Sequence, residues 1–142
     1  MSLRYLLDTN ICIYIRDRRP PEVRERFARL TPGAVGMSVV TYGELVYGAL
    51  KSVRRAETLA KIQRLAALVP VMTPASGAGA RYGEIRYVLE RSGMPIGNND
   101  LWIAAHALEL RVTLVTNNIK EFARVPGLLL ENWAEPAEQG PS

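Results

Sequence analysis

Three acidic residues far apart in the chain each stand in a short polar stretch between apolar runs. They are Asp8 in Tyr5-Leu6-Leu7-Asp8-Thr9-Asn10, Glu44 in Thr41-Tyr42-Gly43-Glu44-Leu45, and Asp100 in Ile96-Gly97-Asn98-Asn99-Asp100-Leu101. Carboxylates crowded together repel one another unless a cation sits among them, and an all-oxygen ligand set suits a hard divalent ion. If the three converge, the chemistry on offer is metal-dependent cleavage of a phosphodiester. Glu121, one turn past Thr116-Asn117-Asn118, is a fourth acid in a comparable setting.

The elements that must position these residues are legible from pattern. Arg4 to Leu7 reads as a strand that stops at the cap-type residues Asp8-Thr9-Asn10, and Ile11 to Arg16 as a short helix. Pro21 starts a second helix through about Leu30, with Val23, Phe27 and Leu30 on one face. Ala34 to Met37 makes a second strand, Ser38 to about Leu50 a helix, and residues 53–68 an amphipathic helix. Val69 to Met72 is expected as an edge strand, because Pro70 has no N–H for a ladder. Thr73 to Ala80 begins as a loop and runs into a helix that ends near Gly93. Asn98 or Asn99 is expected to cap the next helix, which continues to about Leu110. Val112 to Val115 and Leu128 to Leu130 are strands, with a helical turn at Ile119 to Phe122. Short apolar strands alternating with helices predict an α/β domain on a mainly parallel sheet.

Sites in such sheets form at the carboxyl ends of strands, near the reversal of strand order. Asp8 and Ser38 follow the first two strands, Glu44 lies in the helix that begins at Ser38, and Thr116 follows a later strand. Every polar cluster therefore falls at the same topological end. Each acid also has an ordinary explanation. Thr41-x-x-Glu44 fits a capping box, Asp100 suits the positive end of a helix dipole, and Asp8 with Asn10 fits an Asx turn. None of these explains why the acids share one end of the sheet.

Other candidates carry less. His106 is six residues past Asp100, off its helical face, and is expected to pack at a surface or interface beside Trp102. Cys12 reads as a small core residue, and Gly77-x-Gly79 lacks a phosphate-loop pattern. The clusters Arg16/Arg18/Arg19 and Lys51/Arg54/Arg55 are solvated charge unless the acid pocket is real, when they become candidate phosphate contacts.

At 142 residues, 48% hydrophobic and 23% charged, the chain fits one folded domain and excludes wholesale disorder. A single cysteine excludes an internal disulfide framework. With no leader-like segment and no apolar run of membrane length, a cytoplasmic protein without a membrane is expected. Net charge is +4, yet three of the 14 acids and none of the 18 bases lie in residues 131–142, so the body is more basic than the sum. A basic body around an acidic pocket suits a polyanion held by its phosphates. Residues 1–133 are expected as one domain and 134–142, polar with Pro136, Gly140 and Pro141, as a disordered tail.

These motifs together resemble the PIN-domain family, and most closely the toxin ribonucleases of VapBC toxin–antitoxin pairs. The resemblance rests on Leu6-Leu7-Asp8-Thr9-Asn10, Tyr42-Gly43-Glu44-Leu45, Ile96-Gly97-Asn98-Asn99-Asp100, Leu114-Val115-Thr116-Asn117-Asn118 with Glu121-Phe122, and Val125-Pro126-Gly127-Leu128 leading to Glu131-Asn132-Trp133. It implies a three-layer α/β/α sandwich on a parallel sheet of four to five strands. It also implies a Mg²⁺- or Mn²⁺-dependent endoribonuclease whose metal-site acids are Asp8, Asp100 and Glu44, the last directly or through water. Many relatives carry an Asp where this chain has Asn118, so the fourth ligand is neutral here or replaced by Glu121. Thr9, Asn10, Thr116 and Asn118 resemble supporting or substrate-orienting groups. Hydrolysis by water would leave 5′-phosphate and 3′-hydroxyl ends. The implied partners are an RNA substrate and a cognate VapB-type antitoxin, in a homodimer or a toxin–antitoxin hetero-oligomer. The rival expectations are a PIN-like nuclease for RNA or DNA processing without toxin duty, and an inactive binding scaffold.

Overall fold

The computed structural model describes residues 2–134, with five strands and seven helices among them. In chain order they are β1 (Tyr5–Leu7), α1 (Thr9–Asp17), α2 (Pro21–Ala28), β2 (Val35–Ser38), α3 (Val39–Lys51), α4 (Arg55–Leu68), β3 (Val71–Met72), α5 (Ser76–Arg91), α6 (Asn98–Leu110), β4 (Thr113–Val115), α7 (Ile119–Phe122) and β5 (Leu130–Glu131). The strands pair in the order β3-β2-β1-β4-β5, and every pairing is parallel. β3 is an edge, as the proline before it requires. Pro70 still serves the ladder as an acceptor, taking a bond from Met37 N at 2.9 Å.

Two apolar layers sandwich the sheet, and the alternation of strand side chains divides them. Leu7, Val35, Met37 and Val115 face Ile11, Ile15, Val23, Leu45, Ile62 and Leu65, which come from α1 to α4. Leu6 and Leu114 face Ile85, Leu89, Leu101, Ile103, Ala104 and Phe122, from α5 to α7. Strands covered on both faces read as unbroken apolar runs, which explains Leu6-Leu7 and Leu114-Val115. The result is the three-layer α/β/α sandwich expected from the sequence. Among the described residues no helix is long and apolar enough to cross a membrane.

The element boundaries sharpen two expectations and correct one. α5 begins at Ser76, within the stretch expected to run from loop into helix. Gly77 there lies against the Glu109 carboxylate of α6, the mobile end of a side chain that would have to shift to admit a Cβ. Neither Asn98 nor Asn99 caps α6: Gly97 holds the cap position without a side-chain bond, and Asn98 is the first helical residue. The Asn98 side chain accepts instead from the Tyr82 hydroxyl at 2.8 Å. A disordered tail is expected over residues 134–142. Ala134 packs against the core, and residues 135–142 lie outside the described residues.

Candidate active site

The chain leaves β1 outward through β2 and β3, then returns to place β4 on the other side of β1. The reversal therefore falls between β1 and β4, where side chains at the strand ends face an open crevice. Leu7 lies opposite Val115, so the next residues, Asp8 and Thr116, leave the sheet side by side. Asp8 N donates to Val115 O at 2.9 Å. The Thr116 hydroxyl donates to Asp8 Oδ2 at 2.8 Å and accepts from Asn118 N at 2.9 Å. Asp8 Oδ1 accepts from Thr9 N at 2.8 Å, making Asp8 the N-cap of α1. The capping explanation of Asp8 is thus correct locally, and it leaves the carboxylate at the crevice, only 6% exposed.

Glu44 is not the partner in a capping box. α3 is capped three residues earlier than that pattern requires, by Ser38, whose Oγ accepts from Val40 N at 3.2 Å. Glu44 Oε1 instead accepts from the Thr9 hydroxyl at 2.7 Å, a bond across 35 residues of sequence. One residue thereby ties two acids: Thr9 uses its N–H for Asp8 and its hydroxyl for Glu44.

Asp100 stands in the first turn of α6, where a helix dipole alone would depress its pKa. The opposite occurs. Burial, then the charges of Asp8, Glu121 and Glu44, then a hydrogen bond with Glu121 push the Asp100 carboxyl up to about 6. Asp8 is also raised, by burial and by the Glu44 charge, against the hydrogen bonds from Thr116 and Thr9. Glu121 reaches the same crevice from α7, and its Oε2 accepts from Asn118 Nδ2 at 3.1 Å. Asn118 and Glu121 are therefore joined by a hydrogen bond. The four acids act on one another as charges across one crevice. Among the described residues none of them forms an ion pair with Lys or Arg.

A divalent cation fits this donor set on chemical grounds. The side chains are oxygen donors, two of them raised in pKa by burial and then by neighbouring charge, and among the described residues no basic side chain balances their charge. Among the described residues no three ionisable side chains close on one point as a finished metal cage. The four are coupled charges around a crevice, and a hard cation held there would keep several waters of its own.

The remaining candidates separate cleanly. Asn10 turns to Asn117, its Nδ2 donating to Oδ1 at 3.2 Å, and Asn117 Nδ2 donates to the Tyr14 hydroxyl at 2.7 Å. Asn117 and Tyr14 were not singled out from sequence, although Asn10 and Tyr14 have the spacing of neighbours on one helix face. His106 is a correction: it is 1% exposed, in the buried face of α6. Burial lowers its pKa and keeps it neutral, and its Nδ1 has no partner. Trp102 is half-buried and stacks on Tyr82, ring centroids 4.2 Å apart. Cys12 is a core residue as expected, its thiol pushed up by burial and then by Asp8.

The arginine clusters do not border the acids. Arg16, Arg18 and Arg19 line a groove of about 610 Å³ with Lys61 and Arg64, and Arg18 caps the end of α1 opposite to Asp8. Arg54 pairs with Glu57 at 3.7 Å, and Arg55 Nε donates to Leu50 O at 3.0 Å. An open shelf of about 490 Å³, lined by Val39, Val40, Gly43, Glu44, Tyr47 and Asn99, adjoins the acid crevice through Glu44.

A family model for the PIN domain matches residues 5–128. Ribonuclease VapC1 of Haemophilus influenzae is 42% identical over 132 residues, which cover 92% of this chain and 98% of that protein. The tRNA(fMet)-specific endonuclease VapC of Shigella flexneri is 42% identical over 132 residues, covering 93% of this chain and 99% of that one. The solved structure of VapBC-1 from nontypeable Haemophilus influenzae superposes with a TM-score of 0.86 at 41% identity, over 95% of this chain and 100% of that chain. A family match of this length, joined to relatives that align along nearly their whole length, means that this chain belongs to the PIN-domain family.

Proposed function

We propose that this protein is a metal-dependent endoribonuclease and the toxin half of a type II toxin–antitoxin pair. One observation carries the reading. Four carboxylates face one crevice with no basic partner among the described residues, in a chain similar to proteins called ribonuclease VapC and tRNA(fMet)-specific endonuclease VapC. Asp8, Asp100 and Glu44 would hold the cation, Mg²⁺ or Mn²⁺, with Glu44 acting directly or through a water. When bound, the cation supplies a water of lowered pKa and neutralises charge that develops on the phosphate.

The chain's own residues aim the donors. Thr116 and the Thr9 N–H fix both oxygens of Asp8, the Thr9 hydroxyl orients Glu44, and the Asn118 amide orients Glu121. The hydrogen bond between Asp100 and Glu121 favours the protonated form of Asp100. Asn10, Asn117 and Tyr14 form a polar rim where an RNA strand could be oriented.

The neighbouring solved structure is described as VapBC-1, and a cognate VapB-type antitoxin is the partner proposed here. It would cover the acid crevice, in a homodimer or toxin–antitoxin hetero-oligomer in the cytoplasm. The test is cleavage of transfer RNA and other RNA by the purified chain, with and without EDTA. Cation-dependent cleavage leaving 5′-phosphate ends is expected, and antitoxin should suppress it. Asp8→Ala should abolish cleavage with the circular dichroism spectrum unchanged. A fully active Asp8→Ala or Asp100→Ala protein would sink the assignment.

A further inference from the structure

α3 buries Thr41, Leu45 and Ala49 and leaves the stripe Val39, Gly43, Tyr47 outward at four-residue spacing. Val39 is 42% exposed and Tyr47 62% exposed. With Val40, Glu44 and Asn99 these residues line the open shelf beside the acid crevice. Gly43 leaves the middle of the shelf without a side chain, with open space for 4 Å around the place a Cβ would take. Its outer end is the Tyr47 ring, with the Lys51 ammonium 4.3 Å from the ring centroid. Its inner end holds Glu44 and the exposed amide of Asn99, the residue before Asp100.

We propose that this shelf is a nucleobase subsite, an inference that rests on the RNA-cleaving function proposed above. An unpaired base next to the scissile phosphate lies over Val39 and Gly43 and stacks on Tyr47. Lys51 meets the adjoining phosphate, and the Asn99 amide, a donor and an acceptor together, reads the base edge. Single-stranded RNA is recognised in this way, by aromatic stacking that tolerates any base and by amide bonds that discriminate among them. A protein segment would also cover an apolar stripe. The shelf, however, is continuous with the acids at Glu44 and Asn99 and ends in a cation, which suits a strand of alternating bases and phosphates.

The test uses the full chain and a short unstructured oligoribonucleotide spanning a mapped cleavage site. Tyr47→Ala should raise KM about 5- to 100-fold, the effect of losing one base–aromatic stack, with kcat little changed. Tyr47→Phe should restore KM, because it keeps the ring. Gly43→Leu should also raise KM, by filling the shelf. Asn99→Ala should relax base preference at one position beside the cut. Unchanged KM and cleavage pattern in both Tyr47→Ala and Gly43→Leu, on RNA that the wild type cleaves, would overturn the subsite and leave the nuclease reading standing. So would a loss of self-association in Tyr47→Ala as the sole change, since the stripe would then be a contact between copies. If the wild type cleaves no RNA, fluorescence anisotropy with the same oligonucleotide in EDTA decides separately. Binding that weakens in Tyr47→Ala supports the subsite and faults only the cleavage, whereas absent or Tyr47-independent binding overturns it.

Discussion

Replacing Asp100 by Asn should stabilise the cation-free protein at neutral pH, although it removes a proposed ligand. Folding lifts the Asp100 carboxyl from 3.8 to about 6, through burial first and then the charges of Asp8, Glu121 and Glu44. One pKa unit corresponds to about 1.4 kcal/mol, so the full shift would be worth about 3 kcal/mol. The side chain is only half-buried, and solvent screening reduces this to about 1.5 kcal/mol. The sign follows from proton linkage. A carboxyl raised on folding favours the folded state fully below its unfolded pKa of 3.8, and that advantage is lost as pH rises through about 6. The amide of Asp100→Asn never ionises and escapes the loss, while its N–H can still donate to Glu121. In EDTA, urea or thermal unfolding should therefore show little difference between the two proteins near pH 4. By pH 7.5 the variant should gain about 1.5 kcal/mol, or about 3–6 °C in Tm. Adding Mg²⁺ or Mn²⁺ should narrow the gap, because a ligand that binds only the folded wild type stabilises it by mass action. A gain that is the same at pH 4 and pH 7.5, or a loss at pH 7.5 in EDTA, would refute the reasoning.

Two further substitutions probe the frame around the acids. Thr116→Val keeps the shape of a buried side chain but removes the hydroxyl that serves both Asp8 Oδ2 and Asn118 N, and should cost about 2–3 kcal/mol by urea unfolding at pH 7. Thr116→Ser should cost clearly less, and equal losses would show that the hydroxyl is not what matters. Gly36→Val gains strand preference, yet a Cβ there would sit 2.9 Å from Met72 Cγ and 3.3 Å from the Pro70 carbonyl oxygen, so a loss of about 1–3 kcal/mol is expected from overpacking. A urea midpoint that stays put or rises in Gly36→Val would contradict that packing.

The sheet and three of its acid-bearing ends were readable because the information is local. Leu6-Leu7 and Leu114-Val115 announce strands buried on both faces, and a polar residue directly after such a run must lie at the strand's carboxyl end. What the sequence concealed is tertiary. Nothing near Glu44 reveals that its acceptor bond comes from Thr9, 35 positions away, so a local capping box also fits the pattern. Asn118 read as a vacancy in an acid set because its amide bond to Glu121 depends on how α7 begins. His106 misled for a related reason. Side chains from Ile103 to Ala107 are all buried, and a helix enclosed on nearly every side has no polar face on which a histidine could announce itself. Gly77 looked like loop punctuation because its constraint is a side chain of another helix.

The acids are held with graded firmness, and the grading explains how the fold tolerates them. Asp8 is bound at both oxygens and buried against the sheet. Among the described residues Glu44 hangs on one hydrogen bond from Thr9 of α1, Glu121 is held by Asn118 at the start of its own helix, and Asp100 shares a hydrogen bond with Glu121. Burial of the acids and repulsion among them oppose folding, and the Asp100 substitution should reveal their combined cost at that carboxyl. The opposing contribution lies directly beneath the crevice. Leu6 and Leu7 precede Asp8, Leu114 and Val115 precede Thr116, and all four side chains are fully buried. Each contributes about 1.5–3 kcal/mol on burial, so this strand pair outweighs the repulsion several-fold. The same two strands thus supply the stability and aim the charge. A site whose acids lack a basic partner among the described residues can persist there because its backbone belongs to the most deeply buried part of the sheet.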